Sequence, residues 1–162
     1  MILNRNHINN NGQVDIACKL GLTVPEEYKN EYPNAIISEK PEAGYGTQIQ
    51  KEEFSINNFF NNNNIELKEE YSFITDIDAA REFLLENYNY DILICCYGAT
   101  LYDDPNDDWG HMILFENIDN DNNITILDPS SKRNYETLPL SKLLNAINTH
   151  GMKNGAGFYL IK

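Results

Sequence analysis

His111 heads one apolar segment, HMILFENI, and Asp128 closes the next, NNITILDPS, with an Asn/Asp-rich turn between them. An imidazole held by a carboxylate has a fixed tautomer and a stabilised imidazolium, the condition of a general base beside a nucleophile. Whether the two side chains meet depends on the connection. A four-residue loop with Ile118 facing Asn123 puts Asp128 opposite Ile113, on the face of His111 and one diagonal step from it. A five-residue loop reverses the parity unless a bulge restores it.

The nucleophile must come from elsewhere. There is no GxSxG elbow, and Cys95 and Cys96 sit inside DILICCY, the most apolar segment, where a thiol is raised in pKa and inert. Cys18 lies in GQVDIACKLGL, where a loop is expected to enter a helix. The partial positive charge of a helix N-terminus favours a thiolate, and a neighbouring imidazolium favours it further. Gln13, five residues earlier, carries an amide able to donate to an oxyanion.

Each of these residues also has a plainer reading. A lone histidine at a strand start is more often structural, and Cys18 is a small hydrophobe wherever it is buried. Asp103, Asp104, Asp107 and Asp108 read most simply as a solvated loop, though one able to attract a diamine or a basic peptide. Asp119, Asp121 and Asn123 superficially match a calcium loop, but the required glycine is missing and a hairpin turn fits better. His150 falls in the last turn of a helix, where a cation suits the dipole. Trp109 is a packing residue that could also shield the base from water, and Tyr45, between Gly44 and Gly46, is a candidate substrate-loop residue. No metal site is expected.

The elements that must carry these groups are clearest in the second half. Residues 75–78 cap a helix running to about 88, with Ile77, Ala80 and Leu84 on one stripe. Residues 91–97 form a fully buried strand, 111–118 and 124–128 a hairpin, 140–151 a helix stopped by Gly151, and 156–161 a closing strand. In the first half, residues 1–13 read as irregular, 14–22 as a short helix interrupted at Gly21, and 23–27 as a helix start. Residues 33–50 read as a long loop and 61–64 as a turn. Helices first and an antiparallel sheet after, without βα alternation, predict an α+β fold.

The 162 residues suit one domain, 1–162, and a composition 41% hydrophobic supports a packed core. With 25 acidic against 12 basic side chains the formal charge is −13, which excludes nucleic acid and an anionic membrane surface as good partners. No stretch resembles a signal peptide or a membrane span, so a cytoplasmic location is expected. Three cysteines, two of them adjacent, fit no disulfide framework or zinc spacing.

A glutamine shortly before a cysteine, then GH leading an apolar strand, then an apolar strand ending in DP, resembles the papain-fold cysteine peptidases of the C39 and C39-like group. The match is better over residues 91–129 than before them. The resemblance implies a helical N-terminal part packed on an antiparallel sheet, with Cys18 as nucleophile, His111 as base, Asp128 as its orienting acid and Gln13 as oxyanion donor. No cofactor is implied. Lys19 stands where that family usually has glycine, and Gln13 is one residue closer to the cysteine than usual. Some stand-alone members are similar to amide-forming enzymes of thioamide natural-product biosynthesis, which move an acyl group from a carrier-protein thioester to an amine or diamine through the same acyl-cysteine. Amide formation is the leading expectation. Hydrolysis of a peptide by a C39-like peptidase is the second, and a non-catalytic peptide-binding module with a degenerate papain fold is the third.

Overall fold

Apolar periodicity is strongest after residue 70, and in a computed structural model the regular elements follow it. The structure describes residues 2–8, 12–41, 44–129 and 133–162. The expectations for residues 1–13 and 33–50 fall in part, at 1, 9–11, 42 and 43, outside the described residues. The chain is α+β and divides into two compact units, Met1–Lys68 and Glu69–Lys162.

In the first unit, α1 (Ile2–Arg5) occupies part of the stretch expected to be irregular, and α2 (Gln13–Lys19) follows Gly12, whose φ of 99° turns the chain into the helix. The helix start expected at 23–27 is not one. Thr23 and Val24 form β1 (Thr23–Val24), parallel to β2 (Ile36–Ile37), and Glu26–Tyr28 make a single 3-10 turn. Tertiary pairing overrides the local cap signal. Both residues are buried, the Ile36 N–H donates to the Leu22 carbonyl at 2.8 Å, and Thr23 exchanges backbone hydrogen bonds with Gly46. The run 61–64 is the end of α3 (Ile56–Asn62) and the turn after it. Ser55 caps that helix, and Ile56, Phe59 and Phe60 are its buried face.

The second unit is one antiparallel sheet with helices packed on it. Its strands are β3 (Glu69–Ser72), β4 (Asp91–Tyr97), β5 (Gly110–Ile118), β6 (Asn123–Leu127), β7 (Tyr135–Pro139) and β8 (Gly157–Ile161), in spatial order β3-β8-β4-β5-β6-β7. Helices α4 (Ile77–Glu86), α5 (Gly98–Tyr102) and α6 (Leu140–His150) complete it. Asp76 caps α4 by accepting from the Ala79 N–H, and Ala80 and Leu84 are fully buried, as their spacing requires. Leu140, Leu143, Leu144 and Ile147, at i, i+3, i+4 and i+7, form the buried stripe of α6. These helices cover Ile94, Cys96, Ile113, Ile124, Ile126 and Phe158 in a single core. The other face of β4 and β5 carries Cys95 and Leu114, also buried. No described helix is long and apolar enough to cross a membrane.

Gly157, at the head of β8, has φ 141°, and a Cβ there would lie 2.6 Å from the Ser72 carbonyl oxygen. Backbone cannot yield as a side-chain tip can. Gly157→Ala is therefore expected to lower the unfolding free energy by about 3 kcal/mol, combining positive-φ strain with overpacking. Urea denaturation should show a lower midpoint at unchanged slope.

Candidate functional site: a histidine–aspartate pair and its supports

The hairpin reaches the expected geometry by the second of the two routes, a five-residue connection corrected by a bulge. Ile118 pairs with Ile124, not Asn123, so the connection is Asp119–Asn123 and the parity is reversed at the turn. The turn itself is local chemistry. Asp119 Oδ1 accepts from the backbone N–H groups of Asp121 and Asn123 at 2.9 and 2.8 Å, and Asn122 takes the left-handed conformation, φ 61°. The register then shifts between Phe115 and Asn117, so that Leu114 pairs with Leu127 and position 128 falls opposite Ile113. A five-residue connection and a one-residue bulge cancel, and Asp128 returns to the face of His111.

There the His111 Nε2–H donates to Asp128 Oδ2 at 2.8 Å. The carboxylate is fully buried, while the imidazole keeps 14% exposure. The pair therefore sits at the rim of the core, with the base reachable and its partner shielded. Donation from Nε2 leaves Nδ1 with its lone pair, the nitrogen able to take a proton.

Two residues that the sequence did not single out complete the pair. The Tyr102 hydroxyl donates to the same Asp128 oxygen, and its ring stands edge-on to the imidazole, 5.7 Å between centroids. The guanidinium of Arg133 lies 3.8 Å from the centre of the Tyr102 ring and forms an ion pair with Asp107. Burial, followed by the hydrogen bond to Asp128, drives the Tyr102 hydroxyl far above the ordinary phenol range, so it remains a donor.

The acidic loop is solvated as expected at Asp103 and Asp108, which are exposed, but not at Asp107, which is buried. Asp103 pairs with Lys142, Asp104 accepts from Asn106, Asp107 is buried against Arg133, and Asp108 accepts from the Tyr97 hydroxyl. Trp109 is half exposed, as is Tyr45 in the first unit at 40%.

Cys96 stands directly opposite His111 on β4 but has no exposed surface, and burial pushes its thiol well above the usual range. Cys95 is pushed up to about 12 by the same cause. Both are inert, as their apolar strand predicts.

Cys18 is partly exposed, in the first unit, but it is not at a helix N-terminus. It lies in the last turn of α2, whose first residue is Gln13. Regular helical bonding commits its N–H to the carbonyl four residues back, so the thiol does not face free helix N-terminal amides. Five residues of helix put Gln13 about 140° around the axis from Cys18, so they share no face. Lys19, beside the thiol, is held by Asp15 at 3.2 Å and Asn63 at 2.9 Å. Among the described residues no group of three or more His, Cys, Asp or Glu side chains is placed to hold a metal ion.

His150 is not the helix-end cation that its position implied. Its ring stacks on Tyr97 at 6.3 Å, and a Cβ on Gly110 would lie 2.7 Å from its Nε2. Burial lowers its pKa below 6.5. The folded form then binds this proton less readily than the unfolded chain, so the stabilisation is complete above about pH 6.5 and is lost as pH falls through the folded value. Between pH 7.5 and 5, urea unfolding is expected to show a steeper loss of stability in the wild type than in His150→Gln.

No protein-family model, no curated protein and no solved structure matches this chain.

Proposed function

We propose that the chain is a papain-like cysteine acyltransferase, forming an amide from an acyl thioester, carrier-bound or free, and an amine or diamine. The observation that carries the reading is the hydrogen bond of His111 to a fully buried Asp128, with Nδ1 left as the base. The antiparallel sheet, with a strand that opens on Gly110-His111 and another that runs out into Asp128-Pro129, supports a papain-like arrangement. In this reading the Cys18 thiolate attacks the thioester carbonyl. The tetrahedral adduct collapses, the donor thiol leaves with a proton from the His111 imidazolium, and an acyl-cysteine remains. The amine attacks that carbonyl, His111 takes its proton, and amide and free thiolate result. Because α2 gives the thiol no dipolar assistance, its activation in this reading rests on the His111 imidazolium. Gln13 does not enter the argument. The charge of −13 favours a cationic acceptor over a carboxylate-rich one.

Incubation with an acyl thioester and a diamine, followed by intact-mass and product mass spectrometry, tests this. Amide together with an acyl adduct on Cys18 is the expected result. Hydrolysed acid in place of amide supports a hydrolase. The position of Cys18 in the last turn of α2 favours a second reading, a non-catalytic peptide-binding module on the same fold, for which neither adduct nor product should form.

A further inference from the structure

Asp128 Oδ2 accepts from two donors, the imidazole of His111 and the hydroxyl of Tyr102. The second donor is itself held from two sides. Arg133 covers the Tyr102 ring at 3.8 Å and is anchored by Asp107, which is buried. The Asp107 carbonyl in turn packs on Gly98, the first residue of α5, where a Cβ would lie 2.8 Å from it. Tyr102 is the last residue of that same helix. The chain thus closes a ring from the start of α5 through Asp107 and Arg133 to the end of α5 and Asp128.

We propose that Tyr102 is a positioning residue for the His111–Asp128 pair, clamped onto the carboxylate by the Arg133–Asp107 ion pair. The proposal rests on the reading of His111 as a base, but its consequences for the imidazole are independent of catalysis. A carboxylate whose oxygen accepts a second hydrogen bond is restrained in rotation, so the imidazole is held in one plane with Nδ1 in one direction. Its negative charge is also shared. The imidazolium therefore gains less from Asp128 than it would from an unshared carboxylate, and the nearby guanidinium opposes it further. A tyrosine present only to fill space would have neither effect. Cys96, opposite His111 on this face, is neutral by burial.

The test is the imidazole titration of His111, followed by NMR, in the whole chain and in Tyr102→Phe and Arg133→Gln. Tyr102→Phe removes one oxygen and keeps the ring and its contact with the guanidinium. Arg133→Gln removes the clamp at a residue whose side chain is 23% exposed, and serves if the first variant does not fold. Both are expected to raise the His111 pKa, with at least a threefold fall in its proton dissociation constant, equal to about half a unit. Unchanged or lowered titration in a folded variant, with only the unfolding midpoint affected, would reduce Tyr102 to a packing residue and overturn the proposal. An unreactive Cys18 alongside a shifted His111 would sink the acyl-transfer reading while leaving the clamp intact.

Discussion

His111→Ala should slow thioester turnover by about 1,000-fold while moving the unfolding midpoint little, because a positioned base contributes roughly two to four orders of magnitude. The two effects separate for structural reasons. His111 lies at the rim of the sheet, its side chain hydrogen-bonded to Asp128, and that carboxylate keeps Tyr102 when the imidazole is removed. The proposed chemistry loses both the proton acceptor that generates the thiolate and the acid that protonates the leaving group. Single-turnover kinetics with a saturating thioester, beside a urea titration of the same sample, checks both halves. A rate loss matched by a comparable stability loss would instead assign the residue a structural role.

Phe158→Ala is expected to have the largest effect on stability, about 3–5 kcal/mol, the usual range for emptying a buried aromatic site. Phe158 is fully buried on β8 between β3 and β4, opposite Ile94 and Ser72, with the Phe83 ring of α4 at 5.5 Å. No neighbouring element can slide into the space without breaking strand register. Against a total of roughly 5–15 kcal/mol for a natural domain, such a loss would leave the second unit marginal. Hydrogen exchange should then show the β4, β5 and β8 amides losing protection together, and His111 and Asp128 losing their common scaffold.

The second unit was legible in the sequence because its elements announce themselves. The DILICCY run, the stripe of Leu140, Leu143, Leu144 and Ile147 and the Asp76 cap each carry a strong one-dimensional signal. The pairing of His111 with Asp128 was legible only in outcome. The residues leave open a four-residue connection or a five-residue one corrected by a bulge, and the structure has the second, with the bulge at Glu116. Strand β7, with its YETLP alternation, and the short α5 were too brief to stand out.

The first unit was read poorly for a different reason. Its elements are two to seven residues long and are stabilised by distant partners, as Thr23 and Val24 are by Ile36 and Ile37. A cap-like Thr-Val-Pro-Glu-Glu carries no information about that pairing. Cys18 shows the same weakness. Placing it where a loop enters a helix was reasonable from the residues, but the entry glycine is Gly12, and a full turn of helix precedes the thiol. Tyr102 and Arg133 were invisible because they reach Asp128 only through the placement of α5 and of the chain after β6.

The central claim is that the Cys18 thiol is activated by His111, and the pH dependence of iodoacetamide alkylation tests it most directly. Selectivity alone would not, since Cys95 and Cys96 are buried and escape the reagent in any case. The rate at Cys18, followed by peptide mass spectrometry, is predicted to rise with an inflection well below the ordinary thiol value of about 8.5 in the wild type, and to revert to it in His111→Ala. Superimposable profiles in the two proteins, both with an ordinary inflection, would contradict the claim.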